Sequence, residues 1–202
     1  VNSYLTADEL AYIVNNSAAR VLITSRAKLD VAAQALKQCP NVVKLLVADD
    51  ENDVAQYPDT PIADEWLGTP MLYSSGTTGR PKGILRPLPE NPPSRPLPLF
   101  DFLVKLWRYR DGMTYLSPAP LYHSAPQAAV SLAIRHGGTV VIMEQFDPEA
   151  YLALIEKHRV THTMLVPVQY HRLMALPAFD TFDLSAFRMK FSTSAPFQAA
   201  LK

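Results

Sequence analysis

The 202 residues are 48% hydrophobic and 19% charged, the balance of a soluble globular chain rather than a disordered one. Lysine plus arginine equals aspartate plus glutamate at 19 each, so no net field draws in nucleic acid or an anionic membrane surface. The single cysteine, Cys39, excludes an intramolecular disulfide and fits a reducing cytoplasm, and no apolar run approaches the roughly 20 residues a transmembrane helix needs.

From the start, "LTADELAYIVNNSAA" sets Thr6 three residues before Glu9, a capping box that predicts a helix. "RVLIT" reads as a short buried strand, "LDVAAQALKQC" as a helix and "VVKLLVAD" as another strand, before a polar surface connection from Asp50 to Gly68. "TPMLYSSG" and "GILRP" read as strands flanking a glycine-rich loop, and the proline-dense stretch Pro87 to Pro98 as a surface loop. "LFDFLVKLWRYR" has helical spacing and "MTYLSPAPL" reads as a strand ending at prolines. Residues 124–136 predict a helix stopped by Gly137 and Gly138, and "TVVIME" a strand. "DPEAYLALIEKHR" is a helix with Asp147 at its cap and Pro148 at its first position. "VTHTMLVP", "VQYHRLMAL" and "FRMKFSTSA" complete the alternation as strand, helix and strand. Strands separated by helices predict an α/β fold, a largely parallel sheet with helices on both faces.

The segment "YSSGTTGRPKG", Tyr73 to Gly83, concentrates what a phosphate chain needs. Gly76, Gly79 and Gly83 let the backbone curl inward, Ser74, Ser75, Thr77 and Thr78 offer hydroxyls, and Lys82 a point charge. A nucleotide P-loop would follow its lysine with a hydroxyl residue at a helix start; here Gly83 follows Lys82 and Pro81 precedes it. The loop therefore joins two strands. His123, after Pro120-Leu121-Tyr122, lies past a strand end, where open α/β sheets hold their ligands. His136, His158, His162 and His171 lack metal-ligand spacing and read as structural, and Cys39 as an inert thiol. Trp107, Tyr109 and Tyr115 fit a core better than a ligand pocket, while Arg80 suits phosphate or solvent equally.

"YSSGTTGRPKG" resembles the signature loop of the adenylate-forming superfamily, which includes acyl-CoA synthetases, luciferases and peptide-synthetase adenylation domains. "LTADELAYIVNNSAARVLIT", "SPAPLYHSAP" and "VPVQYHRLMALPAFDTFDLSAFRMKFSTSAP" resemble further family stretches in the same order, closest to bacterial fatty-acyl or aryl-acid CoA ligases. The resemblance implies that residues 1–202 are part of the large N-terminal, AMP-binding domain, without the C-terminal domain. It implies a cytoplasmic ligase that joins a small carboxylic acid to coenzyme A through an acyl-adenylate, with ATP consumed, Mg2+ as its companion ion and pyrophosphate released. Ser74, Ser75, Gly76, Thr77, Thr78, Gly79 and Lys82 would then hold phosphates, and Ser194, Ala195 and Pro196 would pack on adenine. Tyr122 and His123 would border the carboxylate and acyl group, with His123 as the catalytic candidate.

Two departures stand out: Thr193-Ser194-Ala195-Pro196 replaces the family's Gly-Ala-Pro turn, and Pro87-Leu88 stands where many members carry a hydroxyl-histidine pair. The chain opens on Val1 and reads as a piece of something longer, with the magnesium-binding glutamate motif expected beyond Lys202 and no turnover expected from the piece alone. Two alternatives fit the same residues: an adenylation domain with another acceptor, as in peptide synthetases or carboxylate reductases, or a non-catalytic nucleotide-binding module.

Overall fold

The computed structural model describes residues 1–51, 55–74, 79–95, 97–177 and 179–192. The chain forms two compact units, Val1–Arg95 and Pro96–Lys202.

In the first unit, helix α1 (Ala7–Asn16) begins at the predicted capping box. The Thr6 hydroxyl accepts from the Glu9 N–H, and the Glu9 carboxylate accepts from the Thr6 N–H at 2.8 Å. Those bonds hold the Glu9 carboxyl below its usual pKa. Leu10, Ala11 and Val14 pack against Ala35 of α2 (Leu29–Leu36) and against Cys39. Burial pushes the Cys39 thiol up, so it is the inert core thiol expected. The strands β1 (Val21–Thr24) and β2 (Lys44–Val47) pair in parallel, Val21 beside Lys44 through to Thr24 beside Val47. Residues 55–66 are exposed throughout, as the polar sequence after Asp50 predicts. The unit ends with an antiparallel hairpin of β3 (Leu72–Ser74) and β4 (Lys82–Ile84).

The second unit is an all-parallel sheet of β5 (Thr114–Ser117), β6 (Thr139–Ile142), β7 (His162–Leu165) and β8 (Met189–Ser192), in spatial order β6-β5-β7-β8. Side chains alternate across a strand, so consecutive residues serve opposite faces. Tyr115 and Met164 join a cluster with Ala129 and Ala133 of helix α4 (Ser124–Arg135). Trp107 belongs to the same cluster and stacks on Phe191 at 4.6 Å; it follows helix α3 (Pro98–Leu106). Their neighbours Leu116 and Leu165 instead join Leu152 and Ile155 of α5 (Pro148–His158) and Leu173 of α6 (Pro167–Met174). Both faces are covered, which is why the central strands "TYLS" and "HTML" are buried almost end to end. No helix among the described residues is long and apolar enough to cross a membrane.

The fold class is the predicted one, but among the described residues the strands divide into a parallel pair, a hairpin and a four-stranded sheet. The predicted helix through Arg110 stops at Leu106: Trp107 is its C-cap and Arg108 takes a left-handed φ of 54°, and both Trp107 and Tyr109 lie in the core. By contrast α4 stops where predicted: Gly137 has φ 70°, and the Gly138 N–H reaches back to the Ala133 carbonyl at 2.9 Å. A Cβ on Gly138 would sit 2.9 Å from that same carbonyl oxygen, so no larger residue fits.

His162 is the one histidine buried to 1% exposure among the described residues. Its Nε2 donates to the Arg108 carbonyl at 3.2 Å, and Nδ1 lies 2.7 Å from the Thr161 hydroxyl. Burial holds its pKa below the ordinary value, opposed by the Arg108 bond and aided by the charge of Arg110. Above about pH 6.5 the imidazole is neutral in folded and unfolded chains alike. Below that, the unfolded chain takes up a proton the folded chain resists, so this contribution to stability is lost as the pH falls. His162→Gln should therefore lose less melting temperature than the unaltered chain between about pH 7.5 and about pH 5. Equal losses would clear His162 of any part in acid sensitivity.

Candidate active site

The phosphate-loop residues that the structure describes sit on the β3–β4 hairpin. Ser74 stands directly opposite Lys82, and Tyr73 opposite Gly83. Opposed residues share a face, so Ser74 and Lys82 project together from one side and both are exposed. The other side packs on α1, where the Tyr73 hydroxyl donates to Asn16 Oδ1 at 2.8 Å. A Cβ on Gly83 would come within 2.9 Å of Tyr73 Cζ and collide with Met71 Cε, so glycine is needed for the ring to lie across the strand. Gly79 takes φ 115°, a conformation reserved for glycine, where the chain returns toward β4. Arg80 neither joins Lys82 nor hangs free; its guanidinium lies over the Tyr12 ring at 5.1 Å. Ser75, Gly76, Thr77 and Thr78 lie outside the described residues. The loop joins two antiparallel strands, the geometry that separates it from a nucleotidase P-loop.

In the second unit the strand order creates a switch point. The chain leaves β5 through α4 toward β6, and leaves β7 through α6 toward β8 on the other side. The switch point therefore lies at the carboxyl ends of β5 and β7, the place where such sheets bind ligands. Tyr122 and His123 lie in the segment that follows β5. Their rings are 4.5 Å apart, and Tyr122 is 38% exposed. His123 is the N-cap of α4, and its side chain makes no capping bond. Ser194, Ala195 and Pro196, which follow β8 in sequence, lie outside the described residues.

Two features of this edge escaped sequence reasoning. The Gln169 carboxamide accepts from the Val166 N–H at 3.0 Å and donates to the Pro118 carbonyl at 3.4 Å, tying the segment after β7 to the one after β5. Ser117 and Ser192, the last residues of β5 and β8, bury hydroxyl oxygens with no partner among the described residues. Leaving a buried hydroxyl unpaired costs about 1–3 kcal/mol, a cost that a polar ligand or water at this edge would remove. Glutamine three residues past a helix cap was a legible signal; nothing local marks the serines. Trp107, Tyr109 and Tyr115 are core, at 7%, 7% and 0% exposure. Among the described residues no three His, Cys, Asp or Glu side chains converge on a metal.

The second unit is a parallel sheet with helices on both faces and a switch point, and the first carries a hairpin with Ser74 opposite Lys82, an α/β architecture. The chain belongs to the AMP-binding enzyme family, whose profile matches residues 1–202. It is 34% identical over 208 residues to a feruloyl-CoA synthase from an Amycolatopsis species, covering 100% of this chain and 40% of that protein. It is 33% identical over 153 residues to 4-coumarate–CoA ligase 1 of Solanum tuberosum, covering 75% of this chain and 27% of that one. The inhibitor-bound N-terminal domain of FACL13 from Mycobacterium tuberculosis superposes with a TM-score of 0.81 at 26% identity, over 100% of this chain and 51% of that one. ATP-bound MatB from Rhodopseudomonas palustris superposes with a TM-score of 0.75 at 26% identity, over 100% and 40%. The chain thus spans less than half the length of these curated relatives.

Proposed function

We propose that this chain is part of the large N-terminal domain of an ATP-dependent carboxylate–CoA ligase. The observation that carries the reading is the pairing of Ser74 and Lys82 on one face of a hairpin whose loop sequence resembles the superfamily's signature loop. In the first step a carboxylate oxygen attacks the α-phosphorus of ATP, and the bond to pyrophosphate breaks. In the second the coenzyme A thiolate attacks the acyl carbon and AMP leaves. Lys82 offsets the charge of the β- and γ-phosphates and the loop hydroxyls donate hydrogen bonds to them as charge builds on the leaving pyrophosphate. His123, with Tyr122 beside it, orients the carboxylate at the switch point. It need not act as a base, because the acid is already ionised at neutral pH.

Mg2+ accompanies ATP in this chemistry, but the described residues offer no cluster to hold it, and no step here is assigned to it. The acid is aromatic or fatty; the relatives include a feruloyl-CoA synthase and a medium/long-chain fatty-acid–CoA ligase. ATP and coenzyme A as co-substrates put the reaction in the cytoplasm. The test is pyrophosphate release by the full-length gene product that carries this chain, with ATP, coenzyme A and either ferulate or a medium-chain fatty acid. Release that depends on one of these acids is expected. Acid-independent hydrolysis to ADP and phosphate would overturn the reading.

A further inference from the structure

Two-stranded hairpins with strands as short as Leu72–Ser74 and Lys82–Ile84 are marginal by themselves, so something must hold this one in place. The support comes from α1, and it reaches each strand separately. Tyr12 donates its hydroxyl to the Pro81 carbonyl at 2.9 Å, one residue before Lys82. Asn16 accepts from the Tyr73 hydroxyl at 2.8 Å, one residue before Ser74. Tyr12 and Asn16 are four apart on the helix and so lie on one side of it, the side turned to the hairpin. The helix is itself fixed by the Thr6–Glu9 capping box and by Asn15 and Asp8, each bonded to Gln38 at 2.7 Å. Arg80 lies over the Tyr12 ring and adds a third contact on the β4 side.

We propose that Tyr12 and Asn16 are positioning residues for the phosphate loop: each anchors one foot of the hairpin, so that Ser74 and Lys82 stand side by side on its free face before nucleotide arrives. Neither touches substrate; both act through the residue next to a phosphate ligand. The proposal rests on the reading of this hairpin as the phosphate site. Residues further along the chain that bind the acid or coenzyme A gain nothing from it, so its signature is selective for ATP.

The experiment compares Tyr12→Phe, Asn16→Ala, their double variant, Lys82→Ala and the exposed control Tyr4→Phe in the full-length gene product. KM for ATP, for the acid and for coenzyme A, kcat and melting temperature are read for each. Tyr12→Phe and Asn16→Ala should each raise the KM for ATP roughly fivefold, the worth of one hydrogen bond. The KM values for acid and coenzyme A should stay put, and Tyr4→Phe should be silent. If Lys82→Ala weakens ATP use while the α1 variants leave it unchanged, the clamp is wrong and the phosphate site stands. If all three KM values rise together, or activity falls in step with melting temperature, the two residues serve folding only and the proposal fails. A silent Lys82→Ala would remove the phosphate-site reading and the clamp with it.

Discussion

Lys82→Ala in the full-length gene product should lower kcat/KM for ATP by roughly 10²–10³-fold, the range found when a preorganised group that stabilises developing charge is removed. Lys82 opposes Ser74 and stands exposed on the hairpin's free face, so under the proposed function its compact ammonium is open to the nucleotide's phosphates. Lys82→Arg should recover part of the loss, because charge returns but the planar fork does not match a site built for a point charge. Steady-state kinetics with ATP varied at saturating acid gives the number. A change below about threefold would mean that the hairpin does not hold the nucleotide's phosphates.

Leu116→Ala should cost about 2–5 kcal/mol of stability. Leu116 lies at 0% exposure on β5, a central strand, facing Leu152 and Ile155 of α5. Truncation leaves a void between sheet and helix that neither can close without breaking ladder bonds to β6 and β7 on both sides. For a chain of this size the fall in melting temperature is on the order of 5–20 °C in the transition of the unit carrying the sheet. Leu99→Ala is the matched control: Leu99 is 51% exposed on α3, and its loss should fall within about 0.5 kcal/mol. A Leu116 variant that melts like the control would place this residue outside the core.

What could be read from the sequence was what neighbouring residues decide. Thr6 with Glu9, Asp147 with Pro148, and Gly137 with Gly138 mark helix ends through bonds within a turn, and each marks an end in the structure. The strand-to-strand character of the phosphate loop was equally local, set by Pro81 and Gly83 around Lys82. Distant contacts were not legible. The apolar period runs on past Leu106, and the left-handed turn at Arg108 goes with the packing of Trp107 against Phe191, on a strand far along the chain. Tyr12 meets Pro81 and Asn16 meets Tyr73 across 69 and 57 residues, and no spacing rule joins such pairs. Likewise the division of the strands into three sheets is a matter of which edges meet. Tyr122 and His123 were candidates because "SPAPLYHSAP" resembles a family motif and His123 follows a strand end, whereas Ser117 reads as one more strand residue until its buried hydroxyl, without a partner among the described residues, is seen.

The central claim is that a carboxylate attacks the α-phosphorus of a nucleotide held by this hairpin, and the path of oxygen tests it directly. An accepted acid labelled with heavy oxygen in its carboxyl group is turned over by the full-length gene product with ATP and coenzyme A. The products are then weighed by mass spectrometry. The account predicts one labelled oxygen in the phosphate of AMP and none in pyrophosphate. Label in inorganic phosphate, with ADP as the nucleotide product, would mean attack at the terminal phosphorus and would contradict it.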